Sequence, residues 1–218
     1  DCALVFNAIH GSDEKDPASL TAPFNYRRDA DLRGVQIGYT EDAPDSFVTA
    51  LRDLGAAVRP IRDIPEGRSH ALSVESAASC DFHVARDGEP GPLPDDLSDA
   101  ERRRRGRFRS GRDILALEYM QSQRRRMILM EEMADAIQGL DMFVSGSGHV
   151  GLTNQTGHPA AVVAYDFGIR NPDADSPTEM PLTTTLIGDL FADDKILSVA
   201  NAFQRETDWH LRRPQPGS

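Results

Sequence analysis

Lysine is almost missing from this 218-residue chain: Lys15 and Lys195 stand against twenty-two arginines. A GC-rich genome produces such a bias, which points to no function by itself. Cysteine is scarce too. Cys2 and Cys80 set no disulfide framework, and each falls in an apolar helical pattern, where a free thiol behaves as a small hydrophobe. No apolar run approaches the roughly 20 residues that span a bilayer, so no membrane partner is expected. The six histidines (His10, His70, His83, His149, His158 and His210) never fall as His-x-x-x-His, and no cysteine pair completes a tetrahedral set. Neither a metal nor another cofactor is expected. Positive charge is outweighed, at 24 basic against 35 acidic residues for a net charge of -11, which argues against a nucleic-acid partner. The run Arg102–Arg105 follows Asp95, Asp96, Asp99 and Glu101, so it reads as a solvated, self-paired helix start rather than a polybasic patch.

What is present reads as an α/β fold. The length suffices for one domain with a proper core. Asp1–His10 has helical spacing, with Leu4, Val5, Ala8 and Ile9 on one face and Gly11 as its stop. A helix that opens without a cap is expected to belong to something longer. Gly34–Tyr39 is a buried strand, Asp45–Leu54 an amphipathic helix and Ala56–Ile61 a second strand, which together make a parallel crossover. Gly34–Gly38 lacks the G-x-G-x-x-G pattern of a dinucleotide loop. Ser69–Arg86 is helical, and residues 99–109 form a short charged helix. Asp113–Gln138 is the longest helix, presenting Ile114, Leu117, Met120, Met127, Ile128 and Ile137 to the core, its methionines filling gaps. Asp141–Ser145, Ala160–Phe167 and Leu182–Gly188 are strands, the last two joined by a polar loop over Gly168–Pro181. Asp193–Arg205 is a closing helix, capped by Asp193 or Asp194 and buried through Ile196, Leu197, Ala200 and Phe203. The alternation predicts a mixed sheet covered by helices, with an antiparallel corner near the C-terminus.

Four groups of residues invite a functional reading. Ser145-Gly146-Ser147-Gly148-His149 puts serine near histidine, but sequence adjacency rarely builds the base geometry a nucleophile needs, and the G-x-S-x-G elbow is absent. His158 precedes Pro159, which holds it extended, and its ring is expected to brace the loop through a backbone hydrogen bond. Thr153-Asn154-Gln155-Thr156-Gly157 reads as a polar loop after a strand. Its side chains either aim donors and acceptors at a bound amide or satisfy the turn itself. Arg102–Arg112 is an arginine cluster suited to pairing bidentately with a carboxylate.

The segments Asp1–Gly11, Asp16–Tyr26, Leu152–Pro159 (LTNQTGHP), Leu182–Leu190 and Thr207–His210 (TDWH) resemble the C-terminal half of an amidase signature enzyme, and the resemblance runs from Asp1 to about Pro214. It implies that the chain is the C-terminal portion of a single amidase signature domain over residues 1–218, an incomplete amidase signature fold. Amide hydrolysis would proceed through a Ser–Ser–Lys triad upstream of Asp1, so no catalytic residue is named in this chain. The resemblance places Thr153, Asn154 and Thr156 beside the pocket. Arg107, four residues before Gly111, is the nearest match to the arginine that grips the substrate carboxylate in the amidotransferase branch. The expected partners are a small-molecule amide, the chain's own N-terminal half and, in a homodimer, a second copy, with a cytoplasmic location. The same features leave open an amidotransferase subunit for tRNA-dependent amidation, or a non-catalytic fragment. Two segments depart from the family pattern. Ser145–His149 replaces a Thr/Pro-containing loop, and the Gly168–Pro181 connection is longer and more acidic than usual.

Overall fold

The computed structural model describes residues 1–67, 71–85, 96, 98–100, 102–103, 111–170 and 178–213, apart from the side chains of 80–85 and 170. Five strands form one mixed sheet: β1 (Gln36–Tyr39), β2 (Ala57–Pro60), β3 (Met142–Ser145), β4 (Ala160–Arg170) and β5 (Thr178–Gly188). Their order is β2-β1-β3-β5-β4. β1 pairs in parallel with β2 and β3, while β5 is antiparallel to β3 and β4. Among the described residues, these helices accompany them: α1 (Cys2–Ile9), α2 (Asp45–Asp53), α3 (Ala71–Ala85), α4 (Ala116–Ala136), α5 (Val150–Thr156) and α6 (Asp193–Glu206).

Both faces of the central strand β3 are buried, its successive side chains entering opposite clusters as strand alternation directs. Met142 and Val144 of β3 join Ile37, Phe47, Leu51, Leu186, Ile196 and Phe203 in one cluster, so α2 and α6 cover that face. The Phe47 and Phe203 rings meet there at 4.4 Å. Phe143 and Ile187 point the other way, into Ile61, Leu129, Met133, Leu140 and Leu152. The helices α4 and α5 cover this second face. Gly38 lies on it, where an added Cβ would come within 2.8 Å of Ile61 and Leu140, so two large side chains occupy the space a third would need.

Several expectations are corrected. α1 docks through Ala3 and through Phe6, whose ring lies 4.9 Å from Phe24. Its expected inner face, Leu4, Val5 and Ile9, is exposed, and so is Cys2. On α4 the buried seam is Ser122, Leu129 and Met133. Leu117, Met120, Met127 and Ile128 are all more than half exposed, on the opposite side of the helix. Of the four methionines expected to fill gaps, only Met133 is buried. The 168–181 loop is shorter than expected, because β4 and β5 stay paired out to Arg170 and Thr178. Pro181 fits there because β3 pairs only with Thr185–Gly188: at Pro181 no strand on that side needs its missing N–H. The N-cap of α6 is Ala192 without a side-chain cap. Asp193 and Asp194 lie in its first turn, where the helix dipole favours negative charge. Of the expected helix at 99–109, residues 99–100 and 102–103 are helical, and the rest lies outside the described residues.

Candidate functional site

In open α/β sheets the crevice beyond the strand C-termini, where the chain turns to opposite sides of one strand, is the common ligand site. Here that point lies between β1 and β3. β1 leads through α2 to β2 on one side, while β3 lies on the other.

Polar residues line this end. The Thr40 N–H continues the ladder by donating to the Val144 carbonyl (3.0 Å), and its hydroxyl donates to Asp42 Oδ1 (2.5 Å). The Asp42 carboxylate also accepts from the backbone N–H groups of Gly146 (3.3 Å) and Ser147 (2.7 Å). One aspartate thus ties the exit of β1 to the exit of β3. Its desolvation works to raise the Asp42 carboxyl, but hydrogen bonds from Thr40 and Ser147 and from the two N–H groups outweigh it and hold the group below its ordinary value. Gly146 packs so closely that an added Cβ would lie 2.1 Å from the Asp42 carbonyl oxygen.

Ser145 ends β3 with its side chain buried. Its hydroxyl meets that of Ser147 at 3.2 Å, and its carbonyl accepts from the Thr184 hydroxyl (3.1 Å). The His149 ring packs edge-on against Phe143 at 6.1 Å. The serine hydroxyls therefore pair with each other, and among the described residues this segment forms no serine–histidine hydrogen bond.

The segment expected to be a polar loop is the helix α5. Left-handed His149 (φ 42) and Gly157 (φ 80) bound it, Gly157 serving as the usual glycine stop. Its threonines are accommodated in the helix with their hydroxyls satisfied, each returning to a backbone carbonyl of the preceding turn. Thr153 Oγ1 donates toward the carbonyls of His149 and Val150 (both 3.4 Å), and Thr156 Oγ1 donates to Leu152 (3.1 Å). Both threonines are buried, whereas Asn154 is exposed. Gln155 is buried, with its amide nitrogen on the Gly151 carbonyl (2.6 Å) and its Oε1 unpartnered.

His158 braces the end of α5 through a side chain rather than the expected backbone group: its Nδ1 lies 2.9 Å from Thr156 Oγ1. Thr156 uses its one hydroxyl proton on Leu152, so His158 Nδ1 must be the donor, which assigns the proton of the neutral ring to that nitrogen. Nε2 is then a bare acceptor, buried and unpartnered. Burial pushes the His158 pKa down, with Asp189 opposing the shift.

Arg107 lies outside the described residues. Gly111, four residues on, packs tightly against α3, where a Cβ would fall 2.1 Å from the Ser73 carbonyl oxygen. At the opposite end of the strands a groove of about 360 Å³ includes Asn25, Leu32, Asp141 and Lys195 in its lining. Asp141 there accepts from Lys195 Nζ (2.7 Å) and from the Gln36 N–H (2.9 Å). Among the described residues no cluster of three or more His, Cys, Asp or Glu could hold a metal ion, and no helix is long and apolar enough to cross a membrane.

No family model matches the chain. It is similar to the A-type subunit of glutamyl-tRNA(Gln) amidotransferase from Marinomonas sp. (strain MWYL1), with 26% identity over 98% of this chain and 54% of that protein. The corresponding protein from Thiobacillus denitrificans (strain ATCC 25259 / T1) is 28% identical over 99% and 54%. Among solved structures it resembles a bacterial aryl acylamidase of the amidase signature enzymes, with TM-score 0.68, 20% identity, and coverage of 96% of this chain and 51% of that one. It resembles the peptide amidase of Stenotrophomonas maltophilia with TM-score 0.67, 20% identity, and coverage of 100% and 53%. The chain spans about half the length of the curated relatives it matches. Its fold is that of the amidase signature enzymes.

Proposed function

We propose that residues 1–218 are the C-terminal portion of a single amidase signature domain that hydrolyses small amides, and that this portion forms one wall of the substrate pocket. One observation carries the reading: on a fold shared with the amidase signature enzymes, a polar rim tied by Asp42 lies at the β1/β3 switch point, and the helix α5 with the exposed Asn154 follows it in the chain. On this reading the activated nucleophile is supplied by the Ser–Ser–Lys triad of the N-terminal half, which the resemblance implies. The exposed apolar faces of α1 and α4 support a requirement for that half, because apolar stripes of this kind usually meet a partner. The nucleophilic serine would attack the amide carbonyl, an amine or ammonia would leave, and water would cleave the acyl-enzyme.

Within the wall, the buried Thr153 and Thr156 bond carbonyls of their own preceding turn, Thr156 also meeting His158, and Asn154 presents its amide to the substrate. In the intact protein Asn154→Ala should raise KM more than it lowers kcat. A collapse of kcat at constant KM would move Asn154 to the transition state, and no change in either would leave α5 with a structural role alone. The isolated chain should release no ammonia from a panel of aliphatic and aromatic amides. Turnover abolished by Ser145→Ala or Ser147→Ala would overturn the reading.

An amidotransferase component is the second reading, and the curated relatives favour it, since the Marinomonas and Thiobacillus proteins are both subunits of glutamyl-tRNA(Gln) amidotransferase. Arg107 would then pair with a substrate carboxylate, and the protein would work beside companion subunits. Glutamine-dependent ammonia release that needs a partner protein would separate this reading from a stand-alone amidase.

A further inference from the structure

Helix α5 is seven residues long, well below the roughly 12–15 residues at which a helix begins to hold itself together in water. Its position is therefore set by its packing, with Leu152 in the second core cluster, and by ties at its ends. Its last four carbonyls, Thr153 to Thr156, have no partner within the helix. That of Thr153 is taken by the Gly157 N–H (2.8 Å). That of Gln155 is taken from outside, by Arg126 Nε of α4 at 2.5 Å.

The guanidinium is itself held. Arg126 Nη1 lies 3.2 Å from Glu75 Oε1, with the two side chains 29% and 35% exposed. The same Glu75 oxygen accepts from Gln123 Nε2 (2.8 Å) and the Tyr119 hydroxyl (3.4 Å), and Gln123 Nε2 also donates to the Tyr119 oxygen (2.7 Å). Three elements distant in sequence, α3, α4 and α5, thus converge on one carboxylate and one guanidinium. An isolated pair at this exposure would add little. Here, however, the cation sits at a helix C-terminus, where the dipole favours it, and its planar fork serves a carbonyl and a carboxylate together.

We propose that Arg126, braced by Glu75, is a positioning residue for the substrate wall: it fixes the C-terminal turn of α5 and through it the aim of Asn154. The inference rests on Asn154 meeting the substrate. The carbonyl Arg126 holds belongs to the very next residue, one Cα beyond the peptide unit that joins Asn154 to Gln155, so a shift of this helical turn as a whole carries Asn154 with it. Small displacements matter at such positions, where a misplacement of about 1 Å can cost about 100-fold in rate.

The test uses the intact protein with Arg126→Met, Arg126→Lys and Glu75→Gln. Arg126→Met should raise KM about ten-fold with a smaller change in kcat. In an Asn154→Ala background it should raise KM no further, because the side chain it aims is gone. Arg126→Lys should recover part of the loss, since an ammonium can donate to the carbonyl but lacks the fork. A wild-type KM in Arg126→Met, or full additivity with Asn154→Ala, would overturn the proposal. Hydrogen exchange supplies a second arm independent of turnover: the amides of 153–157 should exchange faster in Arg126→Met and, less so, in Glu75→Gln. Unchanged exchange would overturn the clamp itself. Faster exchange in a protein whose wild type turns over no amide would instead overturn the proposed function and leave the clamp standing. Should Arg126→Met fail to fold, Arg126→Lys and Glu75→Gln carry the same comparisons.

Discussion

Gly146→Ala separates packing from backbone strain at the switch point. Gly146 is not among the residues with positive φ, so its backbone conformation is open to alanine. The obstacle is steric: the new Cβ would lie 2.1 Å from the Asp42 carbonyl oxygen and 3.0 Å from its carbon. To reach an ordinary contact the loop must withdraw by about 1 Å, against an interior that resists overpacking. That movement stretches the Ser147–Asp42 and Gly146–Asp42 hydrogen bonds from 2.7 and 3.3 Å beyond bonding range. Overpacking costs about 1–3 kcal/mol, and losing hydrogen bonds to an exposed carboxylate adds about 1 kcal/mol. The expected loss is about 3 kcal/mol, read from urea midpoints at constant m-value. Asp42→Ala removes the carboxylate but leaves the carbonyl that causes the clash, so alone it should cost about 1 kcal/mol. In the Gly146→Ala background it should cost almost nothing, because the tie is already broken. The pH dependence gives a second reading. The Asp42 carboxyl is held below its ordinary value, so the stability it contributes is present above about pH 4 and is lost as the pH falls through the folded value. That acid-side loss should be shallower in Gly146→Ala. A loss under about 0.5 kcal/mol for Gly146→Ala, or strict additivity with Asp42→Ala, would refute the reasoning.

Two further outcomes follow from the same structure. The His158 pKa is lowered, mainly by burial, so its contribution to stability is present above about pH 6.5 and is lost as the pH falls through the lower folded value. Thermal midpoints between pH 7 and 5 should fall in the wild type and stay flatter in His158→Gln. Replacing Leu117, Met120, Met127 and Ile128 together by glutamine should reduce hydrophobic-dye binding by the isolated chain while its circular dichroism is kept; a large loss of helicity would mean that this stripe packs inward.

The parts of the fold legible in the sequence were those in which a pattern has a single reading. β1, β2 and β3 are short apolar runs between turn residues, and α2 and α6 each carry one apolar stripe. For α4 the pattern predicts a helix correctly but does not say which side is buried. At about 100° per residue, Leu117, Met120, Met127 and Ile128 form one stripe, and Leu129 and Met133 lie on the other side. Either stripe satisfies the period, and only the presence of Phe143 and Leu152 under the second decides between them. α5 was hidden for a different reason. Threonine and asparagine are poor helix formers because their side chains compete for backbone groups, yet in α5 the Thr153 and Thr156 hydroxyls return to carbonyls of the preceding turn. The left-handed Gly157 was the one local signal that a helix ended there.

The site itself was only half legible, because most of its polar side chains serve other parts of the protein. Asp42 is engaged by two backbone N–H groups and Thr40, Ser145 by Ser147, Thr184 by the Ser145 carbonyl, and Thr153 and Thr156 by carbonyls of their own helix. A nucleophile needs a base within reach and a third group to orient that base. Hydroxyls whose protons are already committed to neighbouring oxygens are poorly placed for that task. They are well placed to hold the exits of β1 and β3 together and to stiffen a helix of about two turns, as the proposed substrate wall would need. Among the described residues of α5 and the turn after it, Asn154 lies at the surface, and Gln155 Oε1 and His158 Nε2 are buried without a partner. Of these three, Asn154 faces solvent, so recognition by the proposed wall should depend on where its amide points. The groups proposed to aim it, Arg126 and Glu75, lie some thirty and eighty residues earlier in the chain, at positions no local motif connects to it.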